Sequence, residues 1–213
     1  MSSHHCHRLL ALGAALALAG SGLPVLAQPN LRSTFPGRRI GGGTRGECSA
    51  RLLANLVPDS SVFAPGAARL LGIVEGPTAN PRPVLISFQS EGSSGSGAAS
   101  RRTLTLPAGS AGVVLFRLPD AALPLRWEST FQCDGGSAPS DDPLSFVSAS
   151  SPPALSLLVG DATPADRALQ QGLQKLLQAC GRSLPRQQIA QSFALGDAIK
   201  DDWPSQLPVR CLN

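Results

Sequence analysis

A chain of 213 residues with 42% hydrophobic and 15% charged content is long enough to bury one sizeable core, and its composition excludes full disorder. Its formal net charge of +4 is too weak to argue for a nucleic-acid partner.

Residues 1–27 have the three-part layout of a secretory signal peptide. Arg8 precedes an apolar run from Leu9 to Ala19, and the small-residue pattern Val25-Leu26-Ala27 follows. Cleavage after Ala27 is expected, with no transmembrane span left in the mature chain and a periplasmic or extracellular location. The apolar run is shorter than the ~20 residues of a bilayer span. Cys6 lies before that run rather than after it, which argues against a lipid anchor.

Cleavage would remove His4, His5 and His7, the three histidines of the chain. With Arg8 also removed, 17 of the 18 basic residues face 14 acidic ones, a mature net charge of about +3. Without an imidazole, a Ser-His hydrolase has no base for its serine. Acid-base work would fall to carboxylates, to Lys175 and Lys200, or to a perturbed cysteine, and both lysines read as solvated. The four remaining cysteines, Cys48, Cys133, Cys180 and Cys211, predict two disulfides in an oxidising compartment. They contain no C-x-x-C and have no histidine to complete a zinc set, so no metal site is assigned.

Residues 28–46 read as an extended arm rich in Arg, Gly and Pro. Within it Gly41, Gly43 and Gly46 satisfy the dinucleotide pattern G-x-G-x-x-G, yet Phe35-Pro36-Gly37-Arg38-Arg39 cannot form the central strand that should precede it. Arg39-Ile40-Gly41-Gly42 is similar to the activation site of trypsin-like proteases, a reading that fails for want of a mature histidine. Gly41, Gly42, Gly43 and Gly46 are therefore expected to serve the backbone, in tight bends and close approach. Arg38, Arg39 and Arg45 form a candidate anion-binding patch, the alternative being that arginine is this chain's default cation. No cofactor is assigned.

Residues 47–150 carry short apolar runs separated by turn residues, at 52–57, 69–75, 84–89, 103–106, 112–118, 125–133 and 144–149. They predict a mainly β, antiparallel sandwich-like domain. The clearest strand is 126–133, where Trp127, Ser129, Phe131 and Cys133 alternate with polar residues. Residues 91–100 read as a mobile hairpin tip. Paired carboxylates of a glycosidase could be sought among Asp134, Asp141, Asp142 and Asp161, but 134–142 is a loop-like stretch that reads as solvated rather than as a catalytic or calcium-binding cluster.

Residues 151–213 are expected to be a helical appendage. Thr163, Pro164 and Asp166 give a helix start, and Leu169, Leu173, Leu176, Leu177 and Cys180 share one face before Gly181 ends it. A second helix is expected from Pro185 to about Ile199, capped by Ser183 and burying Ile189 and Phe193.

The run F-P-G-R-R-I-G-G-G-T-R-G-E-C, Phe35 to Cys48, resembles a secreted domain of unknown function widespread in cyanobacteria. L-A-N-L-V-P, Leu53 to Pro58, and W-E-S-T-F-Q-C-D, Trp127 to Asp134, extend the likeness over roughly residues 35–148. The resemblance implies an exported β-rich domain and no established activity. It also favours pairing Cys48 with Cys133, leaving Cys180 with Cys211, among three possible connectivities. No catalytic residue is assigned. The functional expectation is a non-enzymatic envelope interaction or structural module whose partners are envelope proteins or anionic polysaccharide; the alternative is a carboxylate-dependent hydrolase of envelope carbohydrate.

Overall fold

The computed structural model describes residues 31–42, 51–90, 101–132 and 152–212. In chain order the elements are α1 (Leu31–Thr34), β1 (Ile40–Gly41), β2 (Leu53–Asn55), β3 (Val62–Phe63), β4 (Leu70–Glu75), β5 (Val84–Ser90), β6 (Arg102–Leu106), β7 (Gly112–Arg117), β8 (Leu125–Phe131) and β9 (Ala154–Leu158). They continue with α2 (Pro164–Gln178), β10 (Ser183–Pro185), α3 (Arg186–Ser192) and β11 (Gln206–Cys211). The strands form a six-stranded sheet, β1-β2-β4-β7-β11-β10, and a five-stranded sheet, β3-β9-β8-β5-β6. The molecule is mainly β and sandwich-like.

Alternation in β8 buries Leu125, Trp127, Ser129 and Phe131, as the period-2 pattern requires. Trp127 lies edge-on to Phe116 of the facing sheet, with ring centroids 5.9 Å apart, and 6.4 Å from Phe88 of its own sheet. Such pairs add to the energy of burying the rings. Asn55 in β2 donates from Nδ2 to Ser156 Oγ in β9 at 3.0 Å, a second tie between the sheets. All six residues of β4 are buried, because the sheet packs on one face and α2, through Leu169, Leu173 and Leu176, covers the other. A strand enclosed on both faces loses its alternation and becomes a continuous apolar run.

Several expectations change. The sheets are mixed rather than purely antiparallel: β11 runs parallel to β7 and β3 parallel to β9. Residues beyond 151 contribute strands to both sheets as well as helices. β11 sits between β7 and β10 despite Pro208, and β7 makes room for it with Gly112. A Cβ there would lie 2.7 Å from the Pro208 carbonyl oxygen and 3.0 Å from its ring. The second helix is shorter than expected, because Ser183–Pro185 form β10 and α3 ends at Ser192, with Phe193 as its C-cap and Ala194 following at φ +50. Ser183 is no cap, yet Ile189 and Phe193 are buried as the pattern required.

The strand expected at 144–149 and the tip at 91–100 lie outside the described residues. Cys180 and Cys211 are joined by a disulfide with Cα atoms 5.7 Å apart, which ties the end of α2 to the last residue of β11.

Candidate functional site

The arm binds both sheets at once. Arg38 exchanges backbone hydrogen bonds with Leu155 of β9 (2.8 and 2.7 Å), while the Arg39 carbonyl accepts from Asn55 N of β2 at 2.8 Å. Ile40 and Gly41 then pair with Ala54 and Leu53. The backbone passes so close that a Cβ on Gly41 would sit 2.3 Å from Ala154 N, and one on Gly42 would sit 2.0 Å from the Arg51 carbonyl oxygen. Gly42 also has φ +89, which side-chain-bearing residues rarely adopt. Gly43, Arg45, Gly46, Cys48 and Cys133 lie outside the described residues, as do Asp134, Asp141 and Asp142.

Of the candidate anion-binding arginines, Arg38 and Arg39 are described, and they are placed differently. Arg39 turns inward: its guanidinium donates to the carbonyls of Val57 (3.2 Å), Phe193 (3.1 Å) and Ala194 (2.6 Å) and lies 2.5 Å from Asp59 Oδ1. Those contacts fix the arm against α3 rather than offering a charge to a ligand. Arg38 is exposed, with its backbone engaged by β9.

Two buried carboxylates anchor the framework, and sequence pattern pointed to only one of them. Asp166, fully buried, completes the capping box of α2: its Oδ2 accepts from Thr163 N and Thr163 Oγ1, both at 2.7 Å, and its own amide donates to Thr163 Oγ1 at 3.2 Å. Its Oδ1 accepts from Ala64 N at 3.2 Å, and Arg32 of the arm pairs with Oδ2 at 2.7 Å. Arg32 also donates to the carbonyl oxygen of Asp161.

Glu75, equally enclosed, sits at the end of β4 between Arg51 Nη2 at 2.9 Å and Arg210 Nη2 at 3.0 Å. Arg51 donates further to the carbonyls of Gly76 and Gly109 at 2.5 and 2.7 Å, and its guanidinium stacks over Phe131 at 5.0 Å. Burial pushes the Glu75 carboxyl above its ordinary range, with both guanidinium charges pulling against it. Desolvation likewise lowers Arg51, opposed by Glu75. A Glu ending an otherwise apolar strand, L-L-G-I-V-E, was the available signal.

Beside the edge strand β10 of the six-stranded sheet, α2 and α3 leave a groove of about 160 Å³. Leu176, Ile189 and Phe193 floor it, all buried. Lys175, Gln178, Arg182, Gln188 and Ser192 form its exposed rim. Lys175 also borders a second recess of about 490 Å³, lined by Arg167, Gln170 and Gln174. Among the described residues no three His, Cys, Asp or Glu side chains converge as a metal set, and no helix is long and apolar enough to cross a membrane. No family model, curated protein or solved structure matches the chain.

Proposed function

We propose that this protein is an exported, non-enzymatic module of the cell envelope that works by interaction or as a structural part. The observation that carries this reading is the use made of Glu75 and Asp166. Both carboxylates are fully enclosed and held by arginines, whereas a general acid must reach the proton it transfers. These two acids serve the framework.

Export is supported by the signal-like residues 1–27 and by the Cys180–Cys211 disulfide, a bond that persists in oxidising compartments. The likeness of residues 35–48 to a secreted cyanobacterial domain points the same way. The test is to incubate the purified mature chain with envelope polysaccharides and follow reducing ends. The proposal expects no release. Release abolished by replacing Asp134, Asp141 and Asp142 with Asn would favour the hydrolase instead.

A further inference from the structure

The outer surface of α2 and α3 carries cations and amides without acids. From Arg167 to Gly196 the chain carries Arg167, Lys175, Arg182 and Arg186, seven glutamines, and no Asp or Glu. Arg186 is engaged by Asp201 at 2.9 Å. Arg182 gives one bond to the Gln178 carbonyl at 2.7 Å, and Arg167 one to the Ala162 carbonyl at 3.0 Å. A guanidinium has five N–H donors, so both keep donors for a ligand. Lys175 is exposed on the rim that the groove and the second recess share.

The groove's volume of about 160 Å³ is close to the ~150 Å³ that accommodates a six-membered ring. Its apolar floor suits the C–H face of such a ring, while amides, a hydroxyl and two cations stand where hydroxyls and an anionic substituent would lie. The adjoining recess gives the next unit of a chain a place to continue.

We propose that the α2–α3 groove is a subsite for one ring of a carboxylated polysaccharide, with Lys175 and Arg182 holding the carboxylate and Gln178 and Gln188 the hydroxyls. The proposal rests on the reading of the protein as a non-enzymatic envelope module and names its partner. The complementarity is one of charge and amide hydrogen bonding, so binding weakens with salt and neutral glucans are poor ligands.

The experiment uses the mature, disulfide-intact chain on immobilised polygalacturonate, dextran sulfate, neutral dextran and poly-L-glutamate. The expected result is salt-sensitive retention on polygalacturonate and none on dextran. The double variant Lys175→Gln/Arg182→Gln should bind polygalacturonate roughly tenfold or more weakly, as expected for two lost cation contacts to a polyanion. Both side chains are exposed, so its melting temperature should match the wild type. Arg38→Gln, on the arm, should elute with the wild type. Gln178→Ala/Gln188→Ala should weaken binding to polygalacturonate while leaving that to dextran sulfate unchanged.

The assignment is overturned if the wild type is not retained, if the Lys175/Arg182 variant is retained equally, or if poly-L-glutamate or dextran sulfate binds as tightly as polygalacturonate. Degradation of polygalacturonate during the same runs would instead overturn the non-enzymatic reading while leaving the groove's ligand intact.

Discussion

Arg32 of the arm lies 2.7 Å from Oδ2 of Asp166, so a residue near the start of the described chain completes the cap of a helix that begins 132 positions later. The pair joins the arm, α2 and, through Ala64 N, the segment after β3. Asp166→Ala removes an N-terminal capping partner and one half of an ion pair whose acid is fully buried. It should cost about 3 kcal/mol or more in urea unfolding. Arg32→Gln, which keeps the cap, should cost less. Equal stability of Asp166→Ala and the wild type would show that the clasp does not hold the fold.

The cluster at the end of β4 predicts a pH dependence. Arg51→Gln leaves Glu75 enclosed with Arg210 as its remaining charge partner, and breaking a buried pair in this way costs about 3–5 kcal/mol at neutral pH. The Glu75 carboxyl is already raised by burial, and losing Arg51 raises it further. A raised acid binds its proton more tightly in the folded chain, so its contribution to stability is full below the ordinary carboxylate value and is lost as pH rises through the folded value. Acidification from neutral pH toward ~4.3, the ordinary glutamate value, should therefore recover part of the loss. Melting curves of Arg51→Gln across that range test it; a deficit that grows on acidification would contradict the assigned direction.

Gly42→Val should lower the melting temperature, since its φ of +89 and the 2.0 Å approach to the Arg51 carbonyl oxygen leave no space for a side chain. A cost of about 2 kcal/mol or more is expected from the backbone strain and the clash. If the glycines instead served a nucleotide, adding NAD or ATP would raise the wild-type melting temperature by ligand linkage. No such rise is expected.

The sequence revealed the elements whose signal is local. β8 shows its alternation, and α2 announces itself through Thr163, Pro164 and Asp166. β9 and β11 lack a local signal because Pro152-Pro153 precede the one and Pro204 and Pro208 interrupt the pattern of the other. Pro208 is accommodated only because Gly112 sits opposite it, a fact about a residue 96 positions away that no local window contains. Arg39 had the composition of a ligand-binding cation, and its contacts with Phe193 and Ala194 depend on a tertiary neighbour. The α2–α3 groove escaped notice for a similar reason, since glutamines on a helix face read as ordinary solvated residues until a second helix packs beside them.

The Cys180–Cys211 disulfide closes a separation of 31 residues, worth about 3.7 kcal/mol in the chain-entropy model. Replacing both cysteines by serine should lower stability by an amount of that order and loosen β11 from the end of α2. Hydrogen exchange at Val209 and Arg210 would report the loosening. Unchanged protection and unchanged stability would show that β11 is held without the bond.

The central claim, an exported chain locked by disulfides, is tested most directly by the intact mass of the protein recovered from outside the cytoplasm. The account predicts a chain that begins at Gln28 and weighs four hydrogens less than its fully reduced form, with no thiol reactive after denaturation. A chain retaining residues 1–27 and carrying free thiols would contradict it.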